Sequence, residues 1–186
     1  QRDLLQNFFP PFKKVIDAGA LSIMTSYNSL DGIPSSASRD LYTDLLRRQW
    51  GFKGFVVSDL YSIDGIWETH HVAKSRQEAG IMALQAGVDE DLGGKAFGEL
   101  ADAVRKGLVS ESEIDVACGR ILTKKFEMGL FDHPYVDVKA AKEVGSKAHE
   151  AIALDAARKL VTLLKNQNHI LPLRKDIRVA VIGPNA

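Results

Sequence analysis

Along the first half of the chain the spacing of apolar residues changes several times, and each change marks an element. Leu4, Leu5, Phe8, Phe9, Phe12, Val15 and Ile16 fall mostly three or four apart. That spacing predicts two short helical pieces over Leu4 to Ala18, joined by a kink at Pro10-Pro11 and ended by Gly19. Ala20 to Tyr27 reads as a strand, and Asn28 to Ser38, with Asp31-Gly32 and Pro34 inside it, as a polar loop rich in turns. Ser38 can cap a helix over Asp40 to Trp50 whose Leu41, Leu45 and Leu46 share a face. Phe55-Val56-Val57, bounded by Gly54 and by Ser58-Asp59, is the short apolar run that a buried parallel strand presents.

The alternation continues. A loop with Gly65, Trp67, His70 and His71 leads to a helix from about Ser75 to Ala86, with Ala79, Met82, Ala83 and Ala86 inward and Gly87 as its stop. Val88 to Leu92 lies where a third strand is due, and Phe97 to Lys106 is helical. Ser110 to Glu113 reads as a capped, acidic first turn of a helix running to Met128. Val144 to Leu164 reads as one long amphipathic helix, broken at Asn166 to Asn168. Ile170 to Leu173 is then a linker, and Ile177 to Ile182 a further strand. Strands that alternate with helices predict an α/β fold with about three parallel strands in this part. They form either a small open sheet or the closing part of a (β/α)₈ barrel, the TIM-type fold.

Composition narrows the partners. The 186 residues are 45% hydrophobic, enough to bury a core, and Lys+Arg and Asp+Glu balance at 24 each. No net field draws such a chain to nucleic acid or an anionic membrane, and no apolar run nears the roughly 18 residues of a spanning helix. The start, Gln1-Arg2-Asp3, lacks an initiator Met and a signal-type apolar region. A sequence that opens inside a helix and closes after a new strand reads as a piece of something larger. Cys118 is the single cysteine, so no internal disulfide is expected, and it reads as a small core residue. His70 and His71 are adjacent and cannot face one ion from a helix, so no metal site and no cofactor are expected.

Asp59 is the residue with the clearest chemical position. A carboxylate delivered by a rigid strand to its C-terminal end is a candidate nucleophile or acid/base in a barrel, and the plain alternative is a cap or loop aspartate. Asp89, Glu90 and Asp91 cluster at the predicted end of the third strand, with Asp89 and Asp91 on one face, and read mainly as structural. Arg120, Lys124 and Lys125 read as a solvated helix face.

Four motifs in order then carry a resemblance along the whole chain: Met24-Thr25-Ser26-Tyr27-Asn28, Trp50 to Asp59, Ala86-Gly87-Val88-Asp89, and Leu163-Leu164-Lys165-Asn166 with Ile170-Leu171-Pro172-Leu173. Together they resemble glycoside hydrolase family 3, which includes β-glucosidases and β-xylosidases. The resemblance implies a retaining, exo-acting β-glycosidase and assigns residues 1–143 to the C-terminal part of its barrel. It assigns 144–175 to a long helix and linker, and 176–186 to the first strand of an α/β sandwich domain. It implies Asp59 as the nucleophile and Tyr27 as the phenol that donates to that carboxylate and lowers its pKa. Met24 and Asn28 are implied to line the sugar site. Leu60 stands where many members have a tryptophan, so Tyr61 or Trp67 is expected to supply the aromatic surface. The general acid is expected outside these residues, which makes the isolated piece inactive, and a periplasmic or secreted location is suspected. The expected partner is a β-glucoside or β-xyloside, with a homodimer through exposed sheet edges a further possibility. The rival function is a non-catalytic α/β module that binds carbohydrate or protein, with Asp59 as a hydrogen-bond acceptor.

Overall fold

The Pro10-Pro11 pair opens a helix instead of kinking one. In this computed structural model, which describes residues 2–184, a π-helical turn at Leu4–Phe8 runs straight into α1 (Phe9–Asp17). Both prolines occupy the first turn of α1, where a missing N–H leaves no bond unmade. The strand that follows, β1 (Ser22–Met24), is shorter than the Ala20 to Tyr27 run predicted. The polar loop holds a small antiparallel hairpin of β2 (Ser29–Leu30) and β3 (Ile33–Pro34). Its turn, Asp31-Gly32, has φ of 50° and 82°, the left-handed pair that a two-residue hairpin requires. Ser38 does start the next helix: its Oγ accepts the Leu41 N–H at 3.4 Å, and Asp40–Gln49 winds on in π register.

β4 (Phe55–Val57) lies parallel to β1, with Ser22 opposite Phe55, Ile23 opposite Val56 and Met24 opposite Val57. Gly54 makes the approach possible, because a Cβ there would sit 2.1 Å from the Leu21 carbonyl oxygen. The loop after β4, irregular by its pattern, contains a short helix, α2 (Asp64–Glu68), and α3 (Arg76–Ala86) follows. α3 begins with the Ser75 hydroxyl on the Glu78 N–H and ends at Gly87 with φ of 106°.

The predicted third strand over Val88 to Leu92 contracts to one parallel bridge, Glu90 to Val57. The reason lies in one side chain. Val56 turns its N–H away from β1, and it donates to Asp89 Oδ2 at 2.8 Å instead of to a main-chain carbonyl. A carboxylate thus replaces a rung of the ladder, and the chain leaves the sheet through Gly93-Gly94. Next come α4 (Leu100–Arg105), led in by a 3₁₀ turn, and α5 (Glu111–Glu127), whose Ser110 and Glu113 form a full capping box. Val56, Val88, Ile63 and Ile66 are wholly buried at the centre, where Ala79 and Ala83 let α3 come close. Leu84, Leu100 and Ala117 form a second cluster between α3, α4 and α5.

The chain divides between Pro134 and Tyr135 into two compact units, and the elements so far belong to the first. The second contains α6 (Lys147–Leu160), capped by Ser146 and shorter than Val144 to Leu164 because β-branched Val161 turns extended. Beyond it the Asn166 amide brackets Leu171, donating to its carbonyl at 3.1 Å and accepting its N–H at 3.0 Å. The strand expected over Ile177 to Ile182 does not form among the described residues: a strand is a pairing, and none of them lies alongside it. Residues 185 and 186 of the expected segment lie outside the description. The first unit is a helix-rich α/β arrangement around a parallel pair.

Candidate active site

Because β1 and β4 run the same way, their C-terminal ends open on one edge and carry Thr25 to Tyr27 beside Ser58 and Asp59. Asp59, half-buried, stands two residues past β4, and each part of its peptide is held. Its N–H donates to Thr25 Oγ1 at 3.2 Å, and its carbonyl accepts Ser58 Oγ at 3.0 Å and the Ser62 N–H at 2.9 Å. The carboxylate accepts the Leu60 N–H at 2.6 Å through Oδ1, which orients the side chain and leaves Oδ2 without that tie.

Tyr27 comes to the same place from β1. Its hydroxyl donates to the Leu60 carbonyl at 2.8 Å, on the peptide that follows Asp59, and lies beside the Asp59 carboxylate. Partial loss of water raises the Tyr27 pKa, and a hydrogen-bonding and charge effect from the neighbouring Asp59 carboxylate raises it further. The phenol therefore stays protonated and a donor through the neutral range. His70 braces it from behind, with Nε2 at 2.9 Å from the Tyr27 carbonyl oxygen.

The other candidates separate. Tyr61 is exposed next to Asp59 in a left-handed backbone with φ of 60°, a conformation rare for a bulky residue. Its N–H is tied to the Leu92 carbonyl at 3.1 Å, and Gly93 lies so close under Leu60 that a Cβ there would come within 2.4 Å of Leu60 Cδ1. Trp67, by contrast, packs on the central core with the Arg76 guanidinium 5.4 Å from its ring centre. Met24 and Asn28 border an apolar cleft of about 280 Å³ between α1 and the π-helix, with Phe8, Phe12 and Trp50. That cleft includes neither Asp59 nor Tyr27. His71 bonds the Trp67 carbonyl, and among the described residues no group of three His, Cys, Asp or Glu is placed to hold a metal ion.

The acidic cluster resolves into two networks. Asp89 is fully buried and binds Arg47 and Arg120, the latter at 2.7 Å, so the half-exposed Arg120 is tied to a buried carboxylate and is not simply part of a solvated face. Asp91 accepts the Phe97 N–H at 3.1 Å, while its Oδ1 is buried without a partner. Burial raises the Asp91 pKa, and the charge of Asp64 pushes it further up. Asp64 is buried and held by Arg76 at 2.7 Å and the Lys95 N–H at 3.0 Å.

Comparison with known proteins now decides the family. Residues 1–124 match the glycosyl hydrolase family 3 N-terminal domain. The chain belongs to glycosyl hydrolase family 3. Among family 3 relatives it is 38% identical over 192 residues to the xylan 1,4-β-xylosidase of Xylanibacter ruminicola, covering 100% of this chain and 22% of that one. It is 37% identical over 194 residues to the periplasmic β-glucosidase of Salmonella typhimurium, covering 98% and 25%. The β-glucosidase of Listeria innocua, solved in complex with glucose, superposes at a TM-score of 0.85 with 32% identity over 92% of this chain and 24% of its own. The chain thus spans about a quarter of the length of these relatives.

Within this family 3 chain, Asp59 and Tyr27 are the sequence candidates that the fold brings together. Thr25 and Ser58 lie inside the motifs without a role of their own there, and Ser36 and Ser62 carry no signal in the sequence, since a buried serine or threonine leaves no periodic pattern.

Proposed function

We propose that the full-length protein is a retaining, exo-acting β-glycosidase that removes terminal β-linked glucose or xylose, with Asp59 as its nucleophile. The observation that carries this reading is the clamped Asp59 carboxylate at the C-terminal end of a parallel strand, with the Tyr27 hydroxyl bonded to the next peptide. In the same reading β1 and β4 are neighbouring strands near the close of a (β/α)₈ barrel, within residues 1–143. Residues 144–175 lead away as helix and linker, and 176–186 begin the second domain.

The chemistry follows from the residue types. Asp59 Oδ2 attacks the anomeric carbon as the bond from that carbon to the leaving oxygen breaks, and an acid protonates the departing oxygen. Water then attacks the anomeric carbon of the glycosyl ester and gives its proton to the same group, now acting as base; the sugar leaves with its configuration retained and Asp59 returns as a carboxylate. Tyr27, protonated and pinned to Leu60, holds the turn that presents the nucleophile. Tyr61 offers the exposed ring on which the second sugar stacks, and Trp67 serves as packing. The reading assigns the general acid to sequence outside these residues, as the greater length of the relatives permits. The sugars come from the names of the relatives, a xylosidase and glucosidases alike.

The test is substitution in the full-length protein. Asp59→Gly is expected to lower kcat on an aryl β-glucoside or β-xyloside by about 10³-fold or more while circular dichroism stays unchanged. Retention of a tenth of the activity would end the reading.

A further inference from the structure

Three hydroxyls from three separate segments meet in the interior directly under Asp59. Thr25 follows β1, Ser36 lies in the 3₁₀ turn after β3, and Ser62 belongs to the turn after β4; all three are buried. Their oxygens form a closed triangle: Thr25 to Ser36 at 2.9 Å, Thr25 to Ser62 at 3.0 Å and Ser36 to Ser62 at 2.9 Å.

Counting donors shows what the triangle can do. Three hydroxyls bring three protons, and three edges use all of them, so whichever way the ring runs each oxygen donates once and accepts once. A second lone pair remains on each oxygen. Among the described residues one outside group uses one of them: the Asp59 N–H, on Thr25 Oγ1. Simple packing would fill this space with alanine and valine, since a buried hydroxyl costs stability unless it is bonded. The polar solution has a single outlet, and that outlet is the peptide of the candidate nucleophile.

We infer that the triangle positions the nucleophile, with Thr25 as the positioning residue and Ser36 and Ser62 fixing its hydroxyl. The inference rests on the assignment of Asp59 made above. Thr25 never touches substrate; it acts through the Asp59 main chain, which sets where the carboxylate stands against the anomeric carbon. A misplacement of about 1 Å at such a group costs on the order of 10²-fold in rate. Thr25→Val keeps the shape, removes the acceptor and leaves the half-buried Asp59 N–H without its side-chain partner.

The full-length protein, the Thr25→Val and Thr25→Ser variants and the Ser36→Ala/Ser62→Ala double variant are treated with a 2-deoxy-2-fluoro-β-glycosyl fluoride. Peptide mapping finds the labelled residue, label stoichiometry counts competent sites, and kcat and KM are expressed per labelled site. Thr25→Val is expected to lose about 10- to 100-fold in kcat and in labelling rate, with KM within about twofold. Thr25→Ser is expected to return to within about threefold of the parent, because it restores the acceptor. The double variant keeps the acceptor but frees its rotor, and about a fivefold loss is expected. That variant carries the test if Thr25→Val does not fold. Label on Asp59 with Thr25→Val, or failing it the double variant, at the parental rate would overturn the triangle alone, as would failure of Thr25→Ser to rescue. Label on another carboxylate of the parent would overturn the assignment of Asp59, and the triangle with it.

Discussion

Asp89→Asn is the substitution whose cost can be worked out most fully. The Asp89 side chain is 0% exposed, and it holds Arg47, itself 11% exposed, together with Arg120, at 31%. It also accepts the Val56 N–H on β4, three residues before Asp59. Asparagine keeps the shape and one acceptor but removes the charge. Arg47 is then an unpaired cation in the interior, already carrying an Nε without a partner. Desolvation, the largest influence on its pKa, lowers it; Asp89 acts in the other direction, and Arg120 lowers it again. Breaking a buried pair from one side costs about 3–5 kcal/mol, and losing the half-exposed Arg120 contact adds about 1 kcal/mol or less. A loss of about 4 kcal/mol is a large share of the roughly 5–15 kcal/mol that holds a domain. Urea unfolding of the full-length protein, followed by tryptophan fluorescence and by loss of activity, should show the midpoint down by about 1.5–3 M. Replacing Arg47, Asp89 and Arg120 together by apolar residues of similar size should recover most of that loss. A midpoint shift below about 0.3 M for Asp89→Asn would refute the reasoning.

Other expectations follow from the same contacts. Tyr27→Phe removes the donor to Leu60 and should lower kcat by about 3- to 30-fold; a kcat and pH profile equal to the parent's would make the ring mere packing. Ser110→Ala breaks the capping box of α5 and should cost about 1 kcal/mol in urea unfolding at neutral pH. Because the Ser110 peptide and hydroxyl hold Glu113 below its usual carboxylate pKa, the stability it contributes is present at neutral pH and is lost as acid protonates it. The Ser110→Ala penalty should therefore shrink in acid. Asp91 has the opposite sign: its raised pKa means that ionisation opposes folding, so Asp91→Asn should stabilise at pH 7 and lose that advantage near pH 4, read as urea midpoints at both.

What the sequence revealed about this fold was local and periodic. Ser75 with Gly87, and Ser110 with Glu113, announced the ends of α3 and α5 because capping depends on neighbours a few residues away. Phe55 to Val57 announced β4 by its apolar run, and Asp59 by standing at its end. The larger failures were non-local. Val88 to Leu92 had a strand's composition, but the Asp89 carboxylate took the place of a main-chain partner, which no pattern along the chain encodes. Arg120 looked solvated because its partner lies 31 residues away, and Ile177 to Ile182 looked like a strand because pairing cannot be read from one segment. Tyr27 stands out through motif resemblance, yet its bond to the Leu60 carbonyl is visible only in the folded chain. The hydroxyl triangle joins residues 11, 26 and 37 positions apart and was visible only once the chain had folded.

The central claim is a covalent bond to Asp59. Intact-mass analysis of the full-length protein after reaction with a 2-deoxy-2-fluoro-β-glucosyl or β-xylosyl fluoride measures it directly, with fragmentation of the labelled peptide to find the site. One adduct per chain is expected, carried by the carboxylate of Asp59 and absent from Asp59→Gly. An adduct on a different residue, or hydrolysis that inverts the anomeric configuration without any adduct, would contradict it.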